Sequence, residues 1–234
     1  IVGEPVRTTA SGRTDAGVTN TLEFFELRDN VLTNRFGNDM PRMETGRFGH
    51  AAVLMEQDFA SVENPPPVHL AIAGGFTAQH PDGDAGMALL LGANPTGSVE
   101  FYDTWNLRFP SGYTRNLNQP RAHFDMVETS ITRDLLVFGG LVEGGSGLRV
   151  DASVERLLRS TEGGFPLSVD QFQDTLALGR AYAGTTRVGT HNVMVIGGWG
   201  GGSSSAPCGG ETPLAGCTSE IANPGERFFL GYLY

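Results

Sequence analysis

Arginine and glutamate recur in this chain where they could hold either an anion or each other. Arg47, Arg121 and Arg180 stand in Gly46-Arg47-Phe48-Gly49-His50, Pro120-Arg121-Ala122-His123 and Gly179-Arg180-Ala181-Tyr182. Three guanidiniums brought together would grip an acidic ligand through forked, charge-assisted hydrogen bonds. The competing reading is a repeated salt bridge, because Glu23, Glu100 and Glu155 recur in Thr21-Leu22-Glu23-Phe24, Ser98-Val99-Glu100-Phe101 and Ser153-Val154-Glu155-Arg156. Their recurrence in step favours pairing, within one repeat or between neighbours. His50 and His123 follow two of the arginines and would make a paired site near a common axis. Tyr182 in the third copy favours packing or hydrogen bonding there instead. The run His80-Pro81-Asp82-Gly83-Asp84 has the Asp-x-Asp spacing of calcium loops, without a third acidic ligand or a downstream bidentate glutamate. Calcium is therefore the one cofactor the sequence hints at, with His80, Asp82 and Asp84 as candidate binding residues. Trp199 directly follows Gly197-Gly198 and would serve either as an aromatic platform for a sugar or as packing. No residue is nominated as catalytic or as a transition-metal ligand.

The elements that position these residues are themselves repeated. Leu70-Ala71-Ile72-Ala73-Gly74-Gly75, Leu135-Leu136-Val137-Phe138-Gly139-Gly140 and Val193-Met194-Val195-Ile196-Gly197-Gly198 each run a short apolar strand into a double glycine. A period of about sixty residues means one supersecondary unit copied along the chain. The order is constant: an arginine opening a strand, the Gly-Gly strand, then the Ser-Val-Glu strand. Gly-Gly strands this apolar suit burial on both faces. The Ser-Val-Glu strands alternate, which predicts a strand further from the dry centre. A weaker copy, Gly225-Glu226-Arg227-Phe228-Phe229, closes the series. No stretch carries helical periodicity with caps, so the fold class is all-β.

With Arg-x-x-His, apolar-Gly-Gly and Ser98-Val99-Glu100-Phe101-Tyr102-Asp103 in order, the chain resembles the kelch repeat from about Thr21 to Trp199. The resemblance implies a β-propeller of four-stranded blades, each repeat about 50 residues. It divides one propeller domain into a partial N-terminal blade at 1–45, blades at 46–119 and 120–178, and a C-terminally incomplete blade at 179–234. That is an incomplete ring of about four blades, where kelch-type rings more often need six or seven. The missing blades are expected elsewhere in a longer polypeptide or assembly, or the first and last segments join into one shared blade.

Composition bounds the function. A net charge of −10 argues against phosphate-mediated nucleic-acid binding, and the 16 basic residues are all arginine. No apolar run is long enough to span a membrane. Cys208 and Cys217 sit in a Gly/Ser/Pro loop, where a disulfide is a useful staple outside the cytosol. Closing a loop of that size would stabilise by roughly 2–3 kcal/mol. The expected setting is thus secreted or at the cell surface, with a bacterial source. Long loops after each Gly-Gly strand, 76–97, 141–152 and 199–225, would cluster on one face. The function expected is a binding or scaffold module for a protein or glycan partner. The alternative is a carbohydrate-active enzyme, since the kelch resemblance also embraces a copper-radical oxidase and a sugar epimerase.

Overall fold

Apolar runs of four or five residues ending in paired glycines are too short for helices and rich in residues that fit a pleated surface, so they pair as strands. The computed structural model describes residues 7–8, 14–15, 19–36, 39–55, 69–77, 95–144, 147–159, 166–171, 175–200, 220–221 and 226–229. In chain order its strands are β1 (Arg7–Thr8), β2 (Thr14–Asp15), β3 (Phe25–Arg28), β4 (Val31–Asn34), β5 (Ala51–Met55), β6 (His69–Ala73) and β7 (Ser98–Asp103). Next come β8 (Arg115–Asn116), β9 (Arg121–Ala122), β10 (Asp125–Glu128), β11 (Leu135–Phe138), β12 (Leu141–Gly144), β13 (Gly147–Val150) and β14 (Val154–Arg159). The series ends with β15 (Pro166–Gln171), β16 (Arg180–Ala181), β17 (Gly184–Val188), β18 (Asn192–Ile196), β19 (Trp199–Gly200), β20 (Glu220–Ile221) and β21 (Glu226–Phe229). Among the described residues there is no helix.

Three sheets share one plan. β5-β6-β7-β8 and β10-β11-β14-β15 are four-stranded antiparallel sheets, and β17-β18-β21 repeats their first three strands. Their registers coincide: Glu100 faces Ile72, Glu155 faces Val137 and Glu226 faces Val195, each opposite the residue two before a Gly-Gly. The β3-β4 hairpin matches only the third and fourth strands of such a sheet. Its Thr21–Arg42 bridge corresponds to the Ser98–Asn116 pair, and the Arg47 N–H bonds the Thr19 carbonyl as the Arg121 N–H bonds that of Thr96.

The sheets stack face to face in chain order, forward face against rear face. Ala71, Ala73, Val99 and Phe101 on the forward face of the first meet Met126, Leu135, Val137 and Leu157 on the rear of the second. Leu136, Phe138 and Val154 then meet Val193 and Val195 of the third. Leu22 and Met43, from the segment around the hairpin, cover Ile72 and Tyr102 on the rear of the first sheet. First strands adjoin in series, β5 with β10 and β10 with β17, while β8 touches β15 at the outer edge. Each fully buried Val or Leu contributes about 1.5–3 kcal/mol, so these interfaces dominate the stability.

Double glycines mark where neighbouring backbones touch. A Cβ on Gly74 would fall 2.5 Å from the Arg121 carbonyl oxygen, and one on Gly139 would fall closer still to that of Arg180, both at left-handed φ. The next glycine donates to the same carbonyl: Gly75 N–H to Arg121 at 2.9 Å, Gly140 N–H to Arg180 at 2.7 Å. No side chain larger than hydrogen fits there.

Three expectations need correction. Arg121 and Arg180 open short strands, β9 and β16, as expected, whereas Arg47 opens none. These strands pair with β12 and β19 in separate small sheets, and the first strands of the stacked sheets begin four residues after each arginine, at Ala51, Asp125 and Gly184. The alternating Ser-Val-Glu strand is not half solvated. Val99 to Asp103 are all buried, because the polar side of β7 lies against its own arginine and the preceding segment. The third Gly-Gly strand is not covered on both faces, since Val193 and Val195 are buried but Ile196 is exposed.

Candidate functional site

The recurrent arginines are consumed by the backbone. Arg121 is wholly buried and its guanidinium spends every edge: Nε donates to the Gln119 carbonyl at 3.3 Å and Nη1 to that of Gly139 at 2.6 Å. Nη2 donates to Ser153 Oγ at 2.9 Å and to Glu155 Oε1 at 2.5 Å. Arg47 repeats this with Thr45, Gly74, Ser98 and Glu100, and Arg180 donates to the Gly197 carbonyl at 2.9 Å. Each glutamate is answered from its other side. Glu155 accepts from the Asn118 and Gln119 N–H groups at 2.7 and 3.0 Å, and Glu100 from Glu44 and Thr45 at 2.7 and 3.2 Å. The result is a clip joining the arginine segment, the first glycine and the Ser-Val-Glu strand. Glu23 belongs to no such clip among the described residues; by register the third glutamate position falls to Glu226. Burial lowers the Arg47 pKa, and the Glu100 carboxylate beside it opposes that shift.

Two residues beyond each arginine lies a left-handed position: Gly49 (φ 63°), His123 (φ 49°) and Tyr182 (φ 57°). These three are the true equivalents, so His50 and His123 do not match; His50 aligns instead with Phe124 and Ala183. A backbone chain runs through the positions from sheet to sheet, His123 N–H to Gly49 O at 2.7 Å and Tyr182 N–H to His123 O at 2.8 Å. The side chains pile up in the same order. The His123 ring lies over Gly49, where a Cβ would be 2.7 Å from Cε1. The Tyr182 ring stacks on His123 at 4.2 Å and 25°, and Phe76 meets His123 edge-on at 5.7 Å. Tyr182 is half exposed and forms the open end of the pile. Counting outward from the arginines exposes this row in the sequence.

Neither histidine is set up as an acid. Burial, with a smaller push from the Arg47 charge, lowers His50 to about 4, and its Nδ1 is buried without a partner. Burial lowers His123 as well. The nearest acidic residue in sequence, Asp125, accepts from the Met126 and Thr185 N–H groups at 2.8 and 2.5 Å, tying the second sheet to the third.

Segments leaving each Gly-Gly fold back on the residue after the arginine. Phe48 and Phe76 exchange backbone bonds of 3.1 and 2.8 Å, β9 pairs with β12, and β16 with β19. Phe76, Leu141 and Trp199 are therefore equivalent. With Phe48, Ala122, Leu148, Val150 and Ala181 they form an apolar belt beneath the bases of the long loops. Trp199 is part-buried in this belt, which gives it a packing role. A separate recess of about 400 Å³ opens near the outer edge of the first sheet, between Arg42–Glu44 and Phe109–Thr114. His80, Asp82, Asp84, Cys208 and Cys217 lie outside the described residues, and with them the calcium spacing and the disulfide.

Among the described residues no three metal-ligating side chains converge, and no helix is long and apolar enough to cross a membrane. No protein-family model matches the sequence, and no curated protein matches it either.

Proposed function

We propose that this chain is an arc of a kelch-type β-propeller acting as a binding module for a protein or glycan, secreted or held at a bacterial cell surface. One observation carries the reading: the charged groups that recur with the repeat, the arginines and glutamates, are spent on backbone clips rather than left facing a ligand. The repeats differ instead in the segment after each Gly-Gly and in the residue two places beyond each arginine. The bases of those segments at Phe76, Leu141 and Trp199 pack in one cluster, and Phe76 meets the His123–Tyr182 pile. A half-exposed aromatic stack suits the apolar face of a sugar or a peptide side chain. Face-to-face sheets with their first strands in series support the propeller. The alternative, an enzyme of the epimerase or oxidase type, would need an acid–base pair or a metal set, and among the described residues no three metal-ligating side chains converge. The Cys208–Cys217 disulfide belongs to the same extracellular reading.

A glycan array and a displayed-peptide library, probed with the wild-type chain and Tyr182→Ala, test this function. Binding weakened at least tenfold by the substitution supports it. Turnover of a sugar, stoichiometric copper, or binding indifferent to Tyr182 overturns it.

A further inference from the structure

The recess at the outer edge of the first sheet follows from the register of its fourth strand. That strand pairs with β7 at Ser98–Asn116 and Val99–Arg115, and again at the Asp103–Arg108 bridge. Between those pairs Glu100–Tyr102 supplies three residues and Phe109–Thr114 six, so the fourth strand arches away from β7. Pro110 has no N–H to give a ladder, and Gly112 turns the arch at φ 82°. In the second sheet β14 and β15 instead stay paired from Glu155–Gln171 to Arg159–Pro166, with one residue slipped. Beneath the arch lies the space of about 400 Å³. Its other wall is Arg42-Met43-Glu44, which buries Met43 and exposes the two charged residues. The first clip anchors that wall, because the Glu44 N–H donates to Glu100 Oε2 at 2.7 Å.

We infer that this recess binds one neutral pyranose unit of a glycan. Shape excludes an extended peptide. Backbone bonds close the recess at both ends along β7, from the Leu117 N–H to the Gly97 carbonyl at 2.8 Å and from the Asp103 N–H to the Arg108 carbonyl at 2.9 Å. No added strand can run through it, so the occupant is compact, and the volume lies at the small end of ligand sites. Charge excludes an ionic ligand. Arg42 and Glu44 flank the recess with opposite signs, so a net charge on the ligand gains nothing. Glu100, the other carboxylate there, is taken by Arg47 and two backbone N–H groups. What remains is aromatic surface beside unspent polar forks. Tyr113 is 40% exposed, and half-buried Phe109 lines the same recess. Such rings offer a flat apolar face to the C–H face of a pyranose. Among the described residues the Arg42 side chain donates only to Asn20 Oδ1, at 3.2 Å, and the Glu44 carboxylate accepts from none. A forked donor and a forked acceptor, two residues apart on one extended segment, suit neighbouring hydroxyls, each of which both donates and accepts. The site shares no residue with the His123–Tyr182 pile and stands whether or not the pile holds a ligand.

Methyl NMR of the full chain with labelled methionine methyl groups, titrated with the methyl glycosides of glucose, galactose and mannose, tests it. Met43 lines the recess, and Met43→Leu assigns its signal. At least one neutral glycoside should shift Met43 saturably while Met126, buried between the first and second sheets, stays in place. Tyr113→Ala and Arg42→Gln should each weaken that binding about tenfold. The matching uronic acid and amino sugar should bind more weakly than their neutral parent. Both substitutions fall on exposed side chains, and circular dichroism checks that the sheets persist. A Met43 signal unmoved by every neutral glycoside overturns the inference, as does a shift indifferent to both variants or a preference for a charged sugar. A sugar that leaves Met43 unmoved and is lost in Tyr182→Ala overturns this site and leaves the proposed function standing. A Met43 shift in a chain whose array binding ignores Tyr182 supports this site and overturns that reading instead.

Discussion

Replacing Arg121 by methionine tests whether the arginines are structural clips or ligand-binding groups. Arg121 and Glu155 side chains are both 0% exposed. The substitution deletes donors to the Gln119, Gly139 and Ser153 carbonyls and to Ser153 Oγ. It leaves Glu155 buried with two backbone N–H groups as its only described hydrogen-bond partners. Breaking a buried pair from one side costs about 3–5 kcal/mol, chiefly through the charge left behind. Against a typical total of about 5–15 kcal/mol that is a large share. Arg121→Met/Glu155→Leu removes the stranded charge. Its residual cost is about 1–3 kcal/mol for each buried group left unpaired, chiefly the Gly139 carbonyl, while the Asn118 and Gln119 N–H groups lie on exposed and half-buried residues. Urea unfolding at pH 7 should therefore rank wild type, double variant, single variant in falling stability, with strong coupling between the two sites. An Arg121→Met variant within about 1 kcal/mol of wild type, or additive costs in the double variant, would refute the clip.

Gly139→Ala and Gly197→Ala should differ sharply although both glycines have φ near 60°. The first drives a new Cβ into the Arg180 carbonyl, and the second meets open space. Expect about 1 kcal/mol for Gly197→Ala, the left-handed cost alone, and several times that for Gly139→Ala; equal melting temperatures would contradict the inter-sheet contact. His50 sets an acid limit. Both folded and unfolded chains hold it neutral above pH 6.5, and below that the unfolded chain takes a proton the folded one refuses until about pH 4. Wild type should lose on the order of 3 kcal/mol across that window, and His50→Gln should lose correspondingly less when unfolding is followed at pH 4, 5, 6 and 7. Native chain treated with a thiol-specific label under denaturing, non-reducing conditions should take up none; labelling at Cys208 and Cys217 would remove the disulfide.

The all-β class, the Gly-Gly strands and the three-strand order were legible because each is a local signal: apolar run, paired glycines, alternation. The partners of Glu100 and Glu155 were half legible. Residue type announced a salt bridge, but only strand register shows that each glutamate reaches the arginine of its own repeat and leaves Glu23 aside. The His123–Tyr182 pile was hidden by a one-residue offset, since His50 imitates His123 in type while Gly49 matches it in conformation. Side-chain identity is a poor guide at a left-handed position, where the backbone sets the requirement. Burial of the Ser-Val-Glu strand was not legible either. Alternation normally means one wet face, and here the polar face is dried by an arginine that sequence cannot orient.

What the clips permit is as informative as what they hold. The arginine-to-glycine bond is made across 27 residues in the first repeat, 18 in the second and 17 in the third. The extra length of the first is spent between β5 and β6, whose register nonetheless runs unbroken from Ala51–Ala73 to Met55–His69. Doubling a loop costs only about 0.6 kcal/mol in closure entropy, far less than one broken clip. Selection can therefore lengthen or rewrite the loops almost freely while Arg47, Arg121 and the double glycines stay fixed. Insertions within 78–94, or between Gly144 and Gly147, should leave the melting temperature nearly unchanged and move ligand preference. An equal insertion between Gln119 and Arg121 would pull Nε off its carbonyl and unfold the sheet.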